Sequence, residues 1–180
     1  MAYERIGYGP DNLGRSPADM EVELGVLHHL ISDYPTEKIV LAGYSYGGPV
    51  VLASDKKYKY KVSMASAVVG ELEPMFDVLA FYNWKLTRWM IPAKARAAAK
   101  EKYAHLEEFP KFKEKWNLSP SKVINIHGDQ DWIVPYANSE FLQSIFDKDQ
   151  FSMVTIPEGG HELIWSHFEL IRSELLKTLN

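Results

Sequence analysis

Three short stretches of the chain hold residues that could do chemistry together. GYSYGG (43–48) sets Ser45 between glycines, HGDQDWIVP (127–135) holds Asp129 and Asp131, and PEGGH (157–161) ends on His161. A serine hydroxyl is a poor nucleophile until a neutral imidazole takes its proton, and the imidazole needs a carboxylate to fix its tautomer. Ser, then Asp, then His is the order in which such a triad is strung along one kind of α/β sheet. A G-x-S-x-G match alone arises by chance in roughly one chain of this size in twenty. The elements that position the three residues must therefore decide.

Each of the three follows a short apolar run. Residues 38–44 read as a strand buried on both faces, and 60–69, 122–127 and 151–156 read as further strands. Helices alternate with them. Residues 16–34 carry Ser16 as a cap, Pro17 at the first helical position and Asp19 in a box-like start. Met20, Leu24, Leu27, Ile31 and Tyr34 then form one apolar stripe, which Pro35 stops. Residues 46–54 and 136–146 read as helices, the latter with Phe141, Leu142, Ile145 and Phe146 inward. A last helix starts near Glu162, with Ile164, Phe168, Ile171, Leu175 and Leu179 on one side. Such alternation predicts an α/β fold with a mostly parallel sheet covered by helices, where ligands gather at the carboxyl ends of the strands. Gly43 and Gly47 let neighbouring backbone approach Ser45, and the N–H of Tyr46, at a helix start, can donate to an oxyanion. His28, His29 and His167 fall on helices, and His127 at a strand end reads as a packing or hydrogen-bonding residue.

The middle of the chain breaks the alternation. Met75, Leu79, Tyr82, Leu86 and Trp89 step by four and three, while Phe76, Phe81, Trp84 and Met90 fill the other faces. A helix apolar nearly all round is expected between layers or along a pocket. Pro92 opens a second helix through AKARAAAKEKYAHLEEF, so residues 71–116 form a helical insert between two strands. Residues 85–115 hold nine Lys or Arg against four Glu, and the rest of the chain 11 basic against 20 acidic residues. A solvated helix surface accounts for that excess, and a net charge of −4 speaks against a nucleic-acid partner. At 180 residues one domain is expected. No apolar run approaches a membrane span and residues 1–16 have no signal-like stretch, which makes cytoplasmic the default location. The lack of cysteine excludes disulfides, thiol catalysis and cysteine-held zinc.

GYSYGG, HGDQDWIVP and PEGGH together resemble the motifs of the α/β-hydrolase superfamily. ERIGYG (4–9) with the later GRSP (14–17) is similar to that family's turn after its fourth strand, although Glu4 and Ile6 depart from the commonest residues there. The resemblance implies Ser45 as nucleophile, His161 as base, Asp131 rather than Asp129 as its orienter, and Tyr46 as an oxyanion donor through its backbone. It also implies a core of residues 1–70 and 117–180 under a cap of 71–116, with no metal or organic cofactor. The expected activity is hydrolysis of an ester or related acyl bond in a small, largely apolar or aromatic substrate, through an acyl-enzyme. Tyr44, Phe81, Trp84 and Trp89 are the candidate substrate contacts. Two alternatives keep the same residues: a carbon–carbon bond hydrolase or perhydrolase, and a non-catalytic partial fold that serves as a binding module. Epoxide and haloalkane chemistry is disfavoured, because those relatives place Asp where Ser45 stands. The family's first strands and second oxyanion donor precede the ERIGYG turn. Their absence from this sequence is expected to leave Ile39, Val40 and Leu41 exposed on an unpaired edge, open to pairing with a second copy.

Overall fold

The computed structural model describes residues 3–87 and 89–179. Strands β1 (Val40–Tyr44), β2 (Tyr60–Met64), β3 (Lys122–Gly128) and β4 (Phe151–Ile156) pair in parallel in that spatial order. Seven helices are described: α1 (Met20–Leu30), α2 (Gly47–Ala53), α3 (Asp77–Asn83), α4 (Ala93–Phe112), α5 (Ala137–Ile145), α6 (Leu163–Ser166) and α7 (Phe168–Leu179). On one face of the sheet Val62, Ile124, Ile126 and Ile156 pack against Leu163 of α6 and Ile171 of α7. On the other, Val123 and Phe151 join Leu52 of α2, Leu142 of α5, and Phe109 and Phe112 of α4. Helices cover both faces, so the inner residues of β2 and β3 are buried whichever side of the sheet they point to. Each fully buried large apolar side chain contributes about 1.5–3 kcal/mol relative to exposure.

The α2/α5 face also buries polar groups: Lys61 and Ser63 of β2, and Asn125 and His127 of β3. Lys61 Nζ donates to the carbonyls of Leu52 (2.9 Å) and Ser54 (2.5 Å) and so caps the end of α2. Burial pushes this amine down to about 7, against the pull of Asp55.

Several local expectations need correction. The cap of α1 is Asp19, whose Oδ1 accepts from the N–H groups of Glu21 (2.9 Å) and Val22 (3.1 Å). Ser16 is committed elsewhere, donating to Glu101 Oε1 on α4 at 2.7 Å. Tyr34 lies beyond α1 and is exposed. β1 is not buried on both faces: Val40 and Ala42 are exposed, whereas Leu41 and Gly43 are buried. β1 is an edge strand, but Leu41 is covered by Ile31, Val51 and Tyr58. β2 stops at Met64, where Ala65 turns to a φ of 45°. The last helix is two, interrupted at His167, with Phe168 exposed. The largest departure is in residues 75–90. Among the described residues of that stretch only α3, seven residues long, is helical, and Thr87 Oγ1 then donates to the carbonyls of Phe81 and Trp84. A hydroxyl that bonds backbone carbonyls locally competes with continuation of the helix.

Candidate active site

β1 runs into α2 through a single sharp turn. Ser45 sits in it at a φ of 52°, a left-handed conformation that costs a non-glycine residue roughly 1–2 kcal/mol. The strain is held from two sides: Ser45 N donates to Met64 O at the end of β2 (2.9 Å), and Gly48 N donates to Ser45 O (3.0 Å). A Cβ on Gly43 would lie 2.1 Å from the carbonyl oxygen of Gly47, and one on Gly48 1.6 Å from Ser66 Oγ. A Cβ on Gly47 would meet nothing within 4 Å. The glycines this turn requires are thus 43 and 48, not 43 and 47. Gly43→Ala is expected to destabilise by about 1–3 kcal/mol or more, which at about 2–4 °C per kcal/mol is readable in a thermal melt. Gly47→Ala should melt close to the native chain, and equal losses from the two changes would contradict the steric assignment.

His161 comes from the loop after β4. That loop is stitched to the loop after β3 by Asp129 N to Ile156 O (3.2 Å) and Gln130 N to Gly159 O (3.0 Å). A Cβ on Gly128 would meet Gly159 O at 2.0 Å, so glycine permits the approach. The stitching brings three side chains into line: His161 Nε2 lies 3.0 Å from Ser45 Oγ, and His161 Nδ1 2.8 Å from Asp131 Oδ2. An ionised carboxylate only accepts, so Nδ1 carries the proton and Nε2 is free to accept from the Ser45 hydroxyl. Tyr44 OH donates to the carbonyl of His161 at 2.7 Å, tying the loop to the strand that leads into Ser45.

Asp131 is buried, and its Oδ1 accepts from the N–H groups of Ile133 (3.0 Å) and Val134 (2.9 Å). Burial alone would raise its pKa. Hydrogen bonds from His127, His161 and Val134 outweigh that and hold the carboxyl well below the usual carboxylate range. Asp129 does not reach His161 by any bond of this kind; its Oδ1 accepts from Glu158 N at 2.7 Å, at the surface.

A cavity of about 1440 Å³ opens on Ser45, Tyr44 and His161. Its wall includes apolar Leu27, Ile31, Val40 and Val50 and polar Arg5, Glu23, Glu73, Glu101, Lys102 and His105. Burial raises Glu23 to about 7, with Arg5 opposing and Glu101 adding to the shift. Tyr46 places its ring against His105, with centroids 5.2 Å apart and planes 8° apart, while its backbone N–H follows Ser45 directly. Phe81, Trp84 and Trp89 are not among the lining residues; they are 44 %, 55 % and 79 % exposed. Their expected role as substrate contacts is therefore corrected: their side chains stand in solvent rather than in the cavity wall, and of the four candidates only Tyr44 lines the cavity. Among the described residues, no group of three or more His, Asp or Glu is placed to hold a metal ion. No helix among them is long and apolar enough to cross a membrane.

Comparison with known proteins places the chain in a family. The family model described as the prolyl oligopeptidase family matches residues 24–176. The chain belongs to the prolyl oligopeptidase family. The fold of this family member is that of an α/β hydrolase. It resembles an esterase from Exiguobacterium antarcticum (TM-score 0.70, 13 % identity, 98 % of this chain and 79 % of that one). It also resembles a bromoperoxidase from Bacillus anthracis (TM-score 0.68, 18 % identity, 98 % and 80 %). An α/β hydrolase from a Medee basin deep-sea metagenome is similar too (TM-score 0.65, 15 % identity, 91 % and 72 %). Comparison with curated protein sequences finds no match.

Two polar groups of this prolyl oligopeptidase family chain escape a reading of sequence. Glu73 pairs with Lys102 and lies 3.4 Å from His105 Nδ1. Glu101 accepts from Arg5 (2.9 Å), Tyr8 (2.8 Å) and Ser16 (2.7 Å). In AAAKEKYAHLEEF nothing separates these buried residues from solvated ones, because their partners lie 29 to 96 residues away. His127 is the third omission. Its place at a strand end was legible, but its contact with Asp131 was not.

Proposed function

We propose that the chain is a serine hydrolase that cleaves an ester or related acyl bond through an acyl-enzyme. The observation that carries this is the line Ser45 Oγ–His161 Nε2–Asp131 at 3.0 and 2.8 Å, set on a strained turn beside an open cavity. Ser45 Oγ attacks the substrate carbonyl carbon while His161 Nε2 takes its proton, and Asp131 stabilises the imidazolium that forms. The negative oxygen of the tetrahedral intermediate turns to the N–H of Tyr46. His161 then protonates the leaving group, and a water activated by the same imidazole releases the acyl group and restores Ser45. The family is named for an oligopeptidase and one structural neighbour is an esterase; amide and ester cleavage share these steps. Residues 71–116 act as the cap over the core formed by 1–70 and 117–180. What supports that is the presence of Glu73, Lys94, Ala98, Glu101, Lys102 and His105 in the cavity wall. Covalent labelling of the native chain by a fluorophosphonate, together with turnover of a simple activated ester, tests the reading. A chain that does neither is a binding module instead.

The free edge of β1 is proposed as a site of self-association. Its unpaired backbone groups run beside exposed Val40 and Tyr34. Light scattering at micromolar concentration should find a species larger than the monomer, and Val40→Lys should shift it toward monomer. A monodisperse native monomer would refute this.

A further inference from the structure

The carboxylate behind His161 has a second imidazole against it. His127, fully buried on β3, places Nε2 3.3 Å from Asp131 Oδ2 and 3.0 Å from the carbonyl of Val134. Both neighbours only accept, so Nε2 carries a hydrogen shared between them. On the far side of the ring, Nδ1 lies 2.5 Å from Ser139 Oγ on α5. That hydroxyl already receives a hydrogen from Asn125 Nδ2 at 2.7 Å, which leaves its own to give, and Nδ1 is the acceptor in line. The directions are consistent along the whole row: Asn125 gives to Ser139, Ser139 to His127, and His127 to Asp131.

From this geometry we infer that His127 is a positioning residue, a neutral imidazole protonated on Nε2 that gives Asp131 a hydrogen bond from behind and tempers its hold on His161. The role rests on the hydrolase reading above, since it acts through Asp131 and touches no substrate. Asp131 has four N–H groups within reach. Those of Ile133, Val134 and His127 fix the carboxylate from within the protein, and only that of His161 also faces Ser45. Losing His127 therefore leaves the carboxylate pointed by its two backbone bonds but richer in charge on Oδ2. A carboxylate relieved of one donor binds the imidazolium form of its partner more firmly. Few other titratable groups face His127. The ring of Tyr136 lies edge-on with centroids 5.7 Å apart, the charged residue of β2, Lys61, is tied to two carbonyls, and Asn138 and Ser139 of α5 and the β4 register partner Thr155 carry no charge.

The test uses two replacements. His127→Leu removes the donor, whereas His127→Gln can keep an N–H near the place of Nε2. The rate of Ser45 labelling by a fluorophosphonate is followed against pH in the native chain and both variants. The acid limb should move to higher pH by about 0.5 unit in the leucine variant and return toward its native position in the glutamine variant. A merely structural role would lower the rate and leave the limb where it was. An unmoved limb in a folded leucine variant, or a glutamine variant that behaves like leucine, overturns the inference. Should the leucine variant fail to fold, nitrogen NMR of the native chain at pH 7 still decides: the Nε2–H tautomer at His127 is expected, and the Nδ1–H tautomer or an imidazolium would overturn it. That measurement does not need an active protein. A native chain that refuses the fluorophosphonate sinks the hydrolase reading alone, and a wrong tautomer sinks the role of His127 alone.

Discussion

Ser45→Ala is expected to abolish fluorophosphonate labelling and to lower ester turnover on the order of a millionfold. The members of such a triad act as a unit, so losing the nucleophile leaves only what binding and the oxyanion donor supply. The fold should survive the change. The turn around Ser45 is held by backbone bonds to Met64 and Gly48 that alanine keeps, and alanine meets the same left-handed φ that serine does. Thermal melting should therefore stay close to native while chemistry disappears. His161→Ala should lose nearly as much activity. Labelling that persists in Ser45→Ala would move the nucleophile elsewhere and end the proposal.

Asp131→Asn should cost roughly 10⁴ in turnover, and Asp129→Asn little. The reason lies in the count of acceptors. Asp131 has two oxygens, one facing the N–H groups of Ile133 and Val134 and the other facing His161 and His127. An asparagine has one oxygen, and two backbone donors will keep it. Its NH₂ group then faces His161 Nδ1, which must give up its proton and present N–H toward Ser45 instead of a lone pair. The base is then in the wrong tautomer. Stability carries a second signature. Because the folded carboxyl sits below its ordinary value of 3.8, its stabilisation is complete above that value and is lost as pH falls toward the folded one. The native chain should lose stability on acidification below about pH 4, and Asp131→Asn should flatten that slope. A larger loss of activity from Asp129→Asn would transfer the acid's role two residues upstream.

The sheet and the meeting of Ser45, Asp131 and His161 were largely legible because they depend on local pattern. β4 occupies the predicted residues 151–156, and β3 ends one residue past the predicted run, at Gly128. Strands covered on both faces are rich in apolar residues, and the loops that follow them turn sharply, which writes glycine beside Ser45, Asp131 and His161. Residues 75–90 failed on the same rule of periodicity. Apolar residues at helical spacing say that a face exists, not what covers it, and here Trp84, Leu86 and Trp89 are left exposed. Ser16 failed as a cap because its partner, Glu101, is 85 residues away. Glu73, Glu101 and His105 share that limit: burial of a polar group is decided by a distant partner, and a single sequence does not mark the pair. The bond from His127 to Asp131 spans only four residues, but whether the two side chains meet is set by the path of the loop between them.

The distance along the chain between the proposed nucleophile and its proposed base has a consequence during synthesis. Ser45 and His161 are 116 residues apart, and His161 follows β4, the outermost strand on its side of the sheet. At about 5–20 residues per second on the ribosome, the serine is made roughly 6 to 23 s before its imidazole. Over that interval the emerging chain carries an ordinary alcohol, inert toward the acyl groups around it. On the proposed reading, reactivity awaits the docking of β4 on β3, when Gly159 settles against Gly128 and carries His161 to Ser45. Covalent capture of Ser45 on nascent chains of increasing length would then mark the moment the fold closes.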